Sequence, residues 1–217
     1  KSQDKVVSNK GKITKPILER LVKSLEEGLP ARSVPLDAEE VAAIQDLHLI
    51  TMKPMMFVCN VDEANLTNEN EHVKRVREIA HKEGAGVITI CGKIESEIAA
   101  GSKEEKAEFL KDIGIDESGL SKMIRAGYNL LGMCTYFTAG VKEVRAWTFP
   151  KGAKAPQAAA VIHTDFERGF IKAEVFHCED MFALGTEAKI KEAGKFRVEG
   201  KEYEVKDGDV MHFRFNV

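Results

Sequence analysis

Along the first fifty residues the apolar positions recur at three- and four-residue spacing: Ile13, Ile17, Leu18, Leu21, Val22 and Leu25, with Lys, Arg and Glu between them. That period predicts an amphipathic helix. Pro16 suits a first helical turn, and Gly28 with Pro30 predicts the helix end. Asp37 followed three residues later by Glu40 has the form of a capping box, so a second helix should open there. The two together read as an amphipathic hairpin that packs on a neighbour. From residue 51 the pattern changes. Residues 55–59 are apolar without alternation and follow Pro54, as a strand buried on both faces of a parallel sheet would be. A charged amphipathic stretch over 70–83 ends at Gly84-Ala85-Gly86, and a second apolar run covers 87–91. Strand, helix and strand at this length predict a right-handed βαβ unit. Helices are predicted over 94–100, 103–113 and 119–131. Two strands do not make a stable parallel sheet. The pattern therefore predicts further strands upstream of Lys1, and a start of Lys1-Ser2-Gln3 reads as cut from a longer chain.

After residue 133 the texture is β-rich. Strands are predicted over 135–138 and 144–149 about a turn at Gly140, then over 170–176, 196–198, 202–205 and 210–215. The last is announced by Asp207-Gly208-Asp209. Residues 155–162 read as a short helix begun by Pro156. A small mixed sheet with one helix laid across it, close to a β-grasp, is the expected architecture.

Composition narrows the classes. A hydrophobic fraction of 43% and a charged fraction of 31% describe an ordinary globular chain. A net charge of −3 gives no long-range positive field toward nucleic acid, so RNA contact would need a local patch. The run 55–59 is far shorter than the roughly 20 residues that span a bilayer, and the first dozen residues are polar and Lys-rich, unlike a signal peptide. Cys59, Cys91, Cys134 and Cys178 are scattered without a CxxC pair. That argues against a zinc site or a disulfide framework and fits reduced thiols in a cytoplasm.

The most informative short stretch is Asn60-Val61-Asp62-Glu63 at the end of the first apolar run. Open parallel sheets bind ligands at the carboxyl ends of their strands. In P-loop GTPases this place carries Asn-Lys-x-Asp, whose carboxylate accepts from guanine N1 and N2; Asn-x-x-Glu has a longer arm and loses that pairing. The alternative is an ordinary strand-to-helix turn. The second run ends in Cys91-Gly92-Lys93, a loop whose small Gly92 would let backbone N–H groups approach a base. Gly86 to Lys93 is not a Walker A motif, because five residues separate Gly86 from Gly92 and Ile94 stands where Ser or Thr must bind magnesium. The six histidines lack metal-ligand spacing. His163-Thr164-Asp165 reads as a helix-end His with a capping Asp. Glu69, Glu71, Lys74, Arg75, Arg77 and Glu78 read as a solvated helix face. Arg145, Trp147, Arg168, Phe170 and Arg214 are candidates for an RNA-stacking surface, or else core aromatics with surface charges.

These residues resemble the YchF family of Obg-like ATPases over nearly the whole chain. The likeness is carried by Lys53-Pro54 leading to Asn60–Glu63, by Ile124-Arg125-Ala126-Gly127-Tyr128, by the stretches 135–148 and 162–171, and by the closing 207–217. The resemblance implies an α/β fold: part of a P-loop nucleotide-binding domain with a helical hairpin insertion, followed by a β-grasp (TGS) domain. It places the returning arm of the hairpin at 1–50, the end of the nucleotide domain at 51–132 and the TGS domain at 133–217. It implies that Asn60 and Glu63 read adenine, that Val61 contacts the nucleotide, and that Cys91, Gly92 and Lys93 line the base through backbone groups. Catalytic residues and metal ligands are expected in none of these positions. ATP in preference to GTP, with Mg2+ held upstream, is the implied cofactor set. The implied setting is a cytoplasmic, ribosome-associated ATPase that meets RNA or the ribosome and no membrane. A nucleotide-independent ribosome- or RNA-binding TGS module is the competing expectation. The P-loop and switch segments that carry hydrolysis are absent from this stretch, so the chain alone should not hydrolyse ATP.

Overall fold

The computed structural model describes residues 2–140 and 143–216, with side chains in the first helix from Thr14 onward. The side chain of Ile13, and Val141, Lys142 and Val217 from the stretches quoted above, lie outside it. The chain divides into two compact units, Lys1–Leu120 and Ser121–Val217.

In the first unit helix α1 (Ser2–Glu26) runs through Pro16, which lies inside it and not at its first turn as expected. Proline removes one backbone hydrogen bond there. Just beyond it Ile17 and Leu21, at 1% and 2% exposure, pack with Ala31 and Ile44, and that burial holds the helix on this side of the proline. Gly28 ends it as expected: at φ +77° it lets Leu29 N–H reach Ser24 O at 2.9 Å and Gly28 N–H reach Leu25 O at 3.0 Å. Helix α2 (Ala38–Ile44) opens with the capping box, Asp37 Oδ1 accepting from Glu40 N at 2.8 Å and Glu40 Oε2 from Asp37 N at 3.1 Å. It faces α1, and Arg20 pairs with Glu40 at 2.5 Å.

Strand β1 (Met56–Asn60), the short helix α3 (Ala64–Thr67), helix α4 (Glu71–Glu83) and strand β2 (Gly86–Ile90) form the expected βαβ unit. The strands run parallel in register from Met56↔Gly86 to Asn60↔Ile90. Asn70 caps α4 through Val73 N–H at 3.0 Å, and Gly84 ends it at φ +64°. Among the described residues β1 and β2 pair only with each other. The expected burial of β1 on both faces is therefore not met: Val58 is 42% exposed. Helices α5 (Gly92–Ala99), α6 (Lys103–Asp112) and α7 (Gly119–Leu130) follow, and the division between the units falls within α7.

The second unit is built on β3 (Met133–Ala139), β4 (Val144–Pro150), β5 (Phe170–His177), β6 (Arg197–Glu199) and β7 (Asp209–Phe215). Their order is β4-β3-β7-β5-β6; β3 and β7 are parallel at Phe137↔Val210, and the other pairs are antiparallel. Strand alternation sends Tyr136, Phe149, Ala173, Val175 and Met211 to one face, under Ala155, Ala158 and Ala159 of α8 (Ala155–Ala160). It sends Phe176 and Val210 to the other, against α10 (Cys178–Leu184) and Ile190 of α11 (Glu187–Glu192). Helix α9 (Thr164–Arg168) lies between α8 and β5. The expected single helix is thus four, because both sheet faces carry apolar side chains that need cover. The expected strand at 202–205 is a turn with one bridge, Lys154↔Glu204. Tyr203 N–H closes onto Gly200 O at 3.2 Å, while Ala155 N–H on Tyr203 O at 2.8 Å and Val205 N–H on Ala153 O at 3.0 Å make that single bridge.

Candidate functional site

At the carboxyl ends of β1 and β2 the pairing extends one residue further, with Val61 N–H on Ile90 O at 2.9 Å. The two chains then part. Asp62 turns the first into α3 by accepting from Asn65 N at 3.0 Å and Asn65 Nδ2 at 2.5 Å, and Glu63 stands at the head of that helix. The second chain enters α5 directly at Gly92, with Cys91 as its N-cap. Cys91–Lys93, expected as a loop, is therefore the start of a helix.

The predicted site residues from both chains meet here. Asn60 Oδ1 accepts from Gly92 N at 2.9 Å, and Lys93 Nζ donates to Glu63 Oε1 at 2.6 Å. A Cβ built on Gly92 would stand 3.3 Å from Asn60 Oδ1, so glycine keeps that approach open. Glu63 and Lys93 are both exposed, and the Glu63 carboxylate beside it, with a smaller contribution from Glu97, holds the Lys93 ammonium above its ordinary range. Cys91 is 2% exposed, so its thiol is closed off from the site. Val61 is half-buried. The result is a rim bearing one carboxamide, one carboxylate, one ammonium and a helix start, which suits a flat heterocycle with ring acceptors and an exocyclic amine.

One supporting residue was not foreseen. Glu95 Oε1 accepts from Gly119 N at 2.6 Å and Oε2 from Leu120 N at 3.2 Å, which ties α5 to the start of α7. No local pattern marks it, since the partners lie twenty-four and twenty-five residues away.

Other candidates resolve differently. Phe170 is 3% exposed and packs edge-on to Phe213 in the core, so it presents no stacking face. Arg214 pairs with Glu174 at 3.0 Å. Arg145 lies 4.2 Å over the ring of Trp147, whose Nε1 donates to Thr138 Oγ1 at 2.9 Å. Arg168 is exposed on α9. His163 is itself the N-cap of α9, its Nδ1 accepting from Asp165 N at 3.2 Å, which reverses the expected roles of His and Asp. The mixed charges around α4 pair among themselves, Arg77 Nε holding both oxygens of Glu69 at 2.8 and 2.9 Å and Lys74 meeting Glu71 at 2.7 Å. Among the described residues no group of His, Cys, Asp and Glu could hold a metal ion, and no helix is long and apolar enough to cross a membrane.

A parallel βαβ unit with polar residues gathered at its strand ends, followed by a mixed five-stranded sheet, makes this an α/β protein. The chain is similar to the YchF GTPase of Schizosaccharomyces pombe at a TM-score of 0.80 and 34% identity, over 97% of this chain and 61% of that one. A GTP binding protein from Pyrococcus horikoshii shares the fold at a TM-score of 0.55 and 17% identity, over 92% of this chain and 56% of that one. Residues 133–216 match the family model YchF-GTPase_C, described as a protein of unknown function (DUF933). Two curated relatives named ribosome-binding ATPase YchF are similar: that of Pasteurella multocida, 57% identical over 201 residues, and that of Bacillus subtilis, 55% identical over 203. Each alignment covers 93% of this chain, and 55% and 56% of the relative, so the chain spans about half the length of these proteins. The chain belongs to the YchF family and carries its C-terminal domain.

Proposed function

We propose that this chain supplies the base-reading part of an ATP-binding, ribosome-associated ATPase, together with a TGS domain of β-grasp form. The observation that carries the reading is the convergence of Asn60 and Glu63 with Gly92 and Lys93 at the carboxyl ends of two parallel strands. The relatives' names divide between ATPase and GTPase. The Gly92 N–H at the start of α5 supports ATP, because it is donated to Asn60 and is not left to guanine O6. The phosphates and Mg2+ would be held by residues outside this stretch. The chain has no GxxxxGK[ST] sequence, and we expect it not to turn over ATP by itself. Ribosome binding, as the relatives' names state for them, and a cytoplasmic setting complete the proposal.

Calorimetric titration with ATP and with GTP, magnesium present, tests the base site. Without phosphate-binding groups, affinity no tighter than roughly millimolar, about 4 kcal/mol, is expected, with ATP ahead of GTP and Glu63→Ala abolishing the difference. Preference for GTP, or an effect of Glu63→Ala on neither ligand, would contradict the assignment. A second reading, a nucleotide-independent RNA- or ribosome-binding module, is favoured by one observation: the second unit encloses its own core on both faces of its sheet. Ribosome binding by this chain unaffected by Glu63→Ala and by added ATP would support it.

A further inference from the structure

We propose that the Lys93 side chain sets the base preference of this site by engaging Glu63. The inference rests on the nucleotide reading above and deepens it. A strand-end carboxylate that reads guanine uses both its oxygens, one for N1–H and one for the N2 amine. Here Glu63 Oε1 is already 2.6 Å from Lys93 Nζ. One of the carboxylate's roughly four acceptor sites is thereby filled, and an ammonium stands beside the sites that a ligand's N–H groups would need. Guanine's N1–H and N2 amine therefore meet a carboxylate whose charge an adjacent ammonium offsets, while its O6 meets an N–H already given to Asn60 at 2.9 Å.

Adenine asks for less. Its amine needs one acceptor, which Oε2 provides, and its ring nitrogens accept, which suits an ammonium with two further N–H donors. The pair thus presents an acceptor beside a donor without having to break. The other charged groups nearby leave this balance in place. Glu97 stands 3.9 Å from Lys93, beyond hydrogen-bond reach, and the Asp62 carboxylate is turned to Asn65. Because both partners are exposed, the pair contributes little to folding, so its removal should alter ligand choice and not the fold. Selectivity obtained by leaving the wrong ligand's polar groups unmatched is the more effective kind.

The test compares the unsubstituted 217-residue chain with Lys93→Gln and Lys93→Arg, each titrated with ATP and with GTP while the amide NMR signals of Gly92 and Lys93 are followed. Both ligands carry the same triphosphate, so the ratio of their Kd values isolates the base. Lys93→Gln should improve GTP binding relative to ATP by about fivefold, the order expected for freeing a charged hydrogen-bond acceptor at an exposed site. Lys93→Arg, which keeps the ion pair, should retain the original ratio. ATP selectivity unchanged in Lys93→Gln overturns the role of Lys93 and leaves the nucleotide reading intact. If the Gly92 and Lys93 amides of the unsubstituted chain respond to neither nucleotide, both are overturned.

Discussion

In the second unit Tyr136, Phe149, Val175, Phe176 and Met211 are sealed at 0% exposure, whereas in the first unit Val58, in the middle of β1, is 42% exposed. The sequences of the two regions look equally apolar. What differs is the number of neighbours each strand has. In the second unit β3, β5 and β7 are each hydrogen-bonded on both sides, and helices cover both faces of the sheet. In the first, β1 and β2 have only each other among the described residues. A strand's apolar run is stabilising only to the extent that something covers it. The polar residues proposed to read a base thus sit on the less enclosed of the two sheets.

The largest expected consequence is in local stability. Amides of β5 and β7 should exchange with solvent at least about a hundredfold more slowly than those of β1 and β2. Equal protection in a hydrogen-exchange time course would mean that the two units unfold as one and that the contrast in burial has no energetic meaning. Next in size are core truncations. Phe149→Ala should cost about 3–5 kcal/mol in urea unfolding, against less than about 1 kcal/mol for Val58→Ala, which removes a side chain already wetted. A large loss at Val58 would show that β1 is better covered than its exposure indicates.

The smallest effect sharpens the picture of the second unit at high pH. Burial first, and then its hydrogen bond to the buried Asp209, pushes the Tyr203 phenol up to about 12 from an ordinary 10.0. The folded state therefore keeps a proton that the unfolded chain releases. This contribution is fully present below pH 10 and is lost as pH rises toward about 12, the direction for a raised pKa. Tyr203→Phe should flatten the decline of stability over that window. An unchanged alkaline slope would show that Tyr203 titrates alike in both states.

Local signals were legible where one residue acts on its own neighbours. Asp37 with Glu40 before α2 and Gly84 after α4 carry out the roles their residue types predict, and Asn70, read as the first residue of the helix, is its N-cap. The strand-end position of Asn60 and Glu63 was legible too, because an apolar run stops there. Long-range pairing was not. Lys93 meets Glu63 across thirty residues, and nothing in either segment announces the other. Helices α10 and α11 escaped because they are short, seven and six residues, and α10 follows β5 with no glycine or proline between. The alternation Glu202-Tyr203-Glu204-Val205 reads as a strand, but its backbone makes only a turn onto Gly200 and a single bridge to Lys154. Pro16 misled because a breaker was read without the packing of Ile17 and Leu21 just beyond it.

The central claim is that Asn60–Glu63 and Cys91–Lys93 together form a base site. Photolabelling the chain with 8-azido-ATP and mapping the labelled peptides tests it directly. The account predicts label in the peptides that contain residues 60–63 and 91–93, displaced by ATP more readily than by GTP. Label confined to peptides of the second unit, or undiminished by excess ATP, would contradict it.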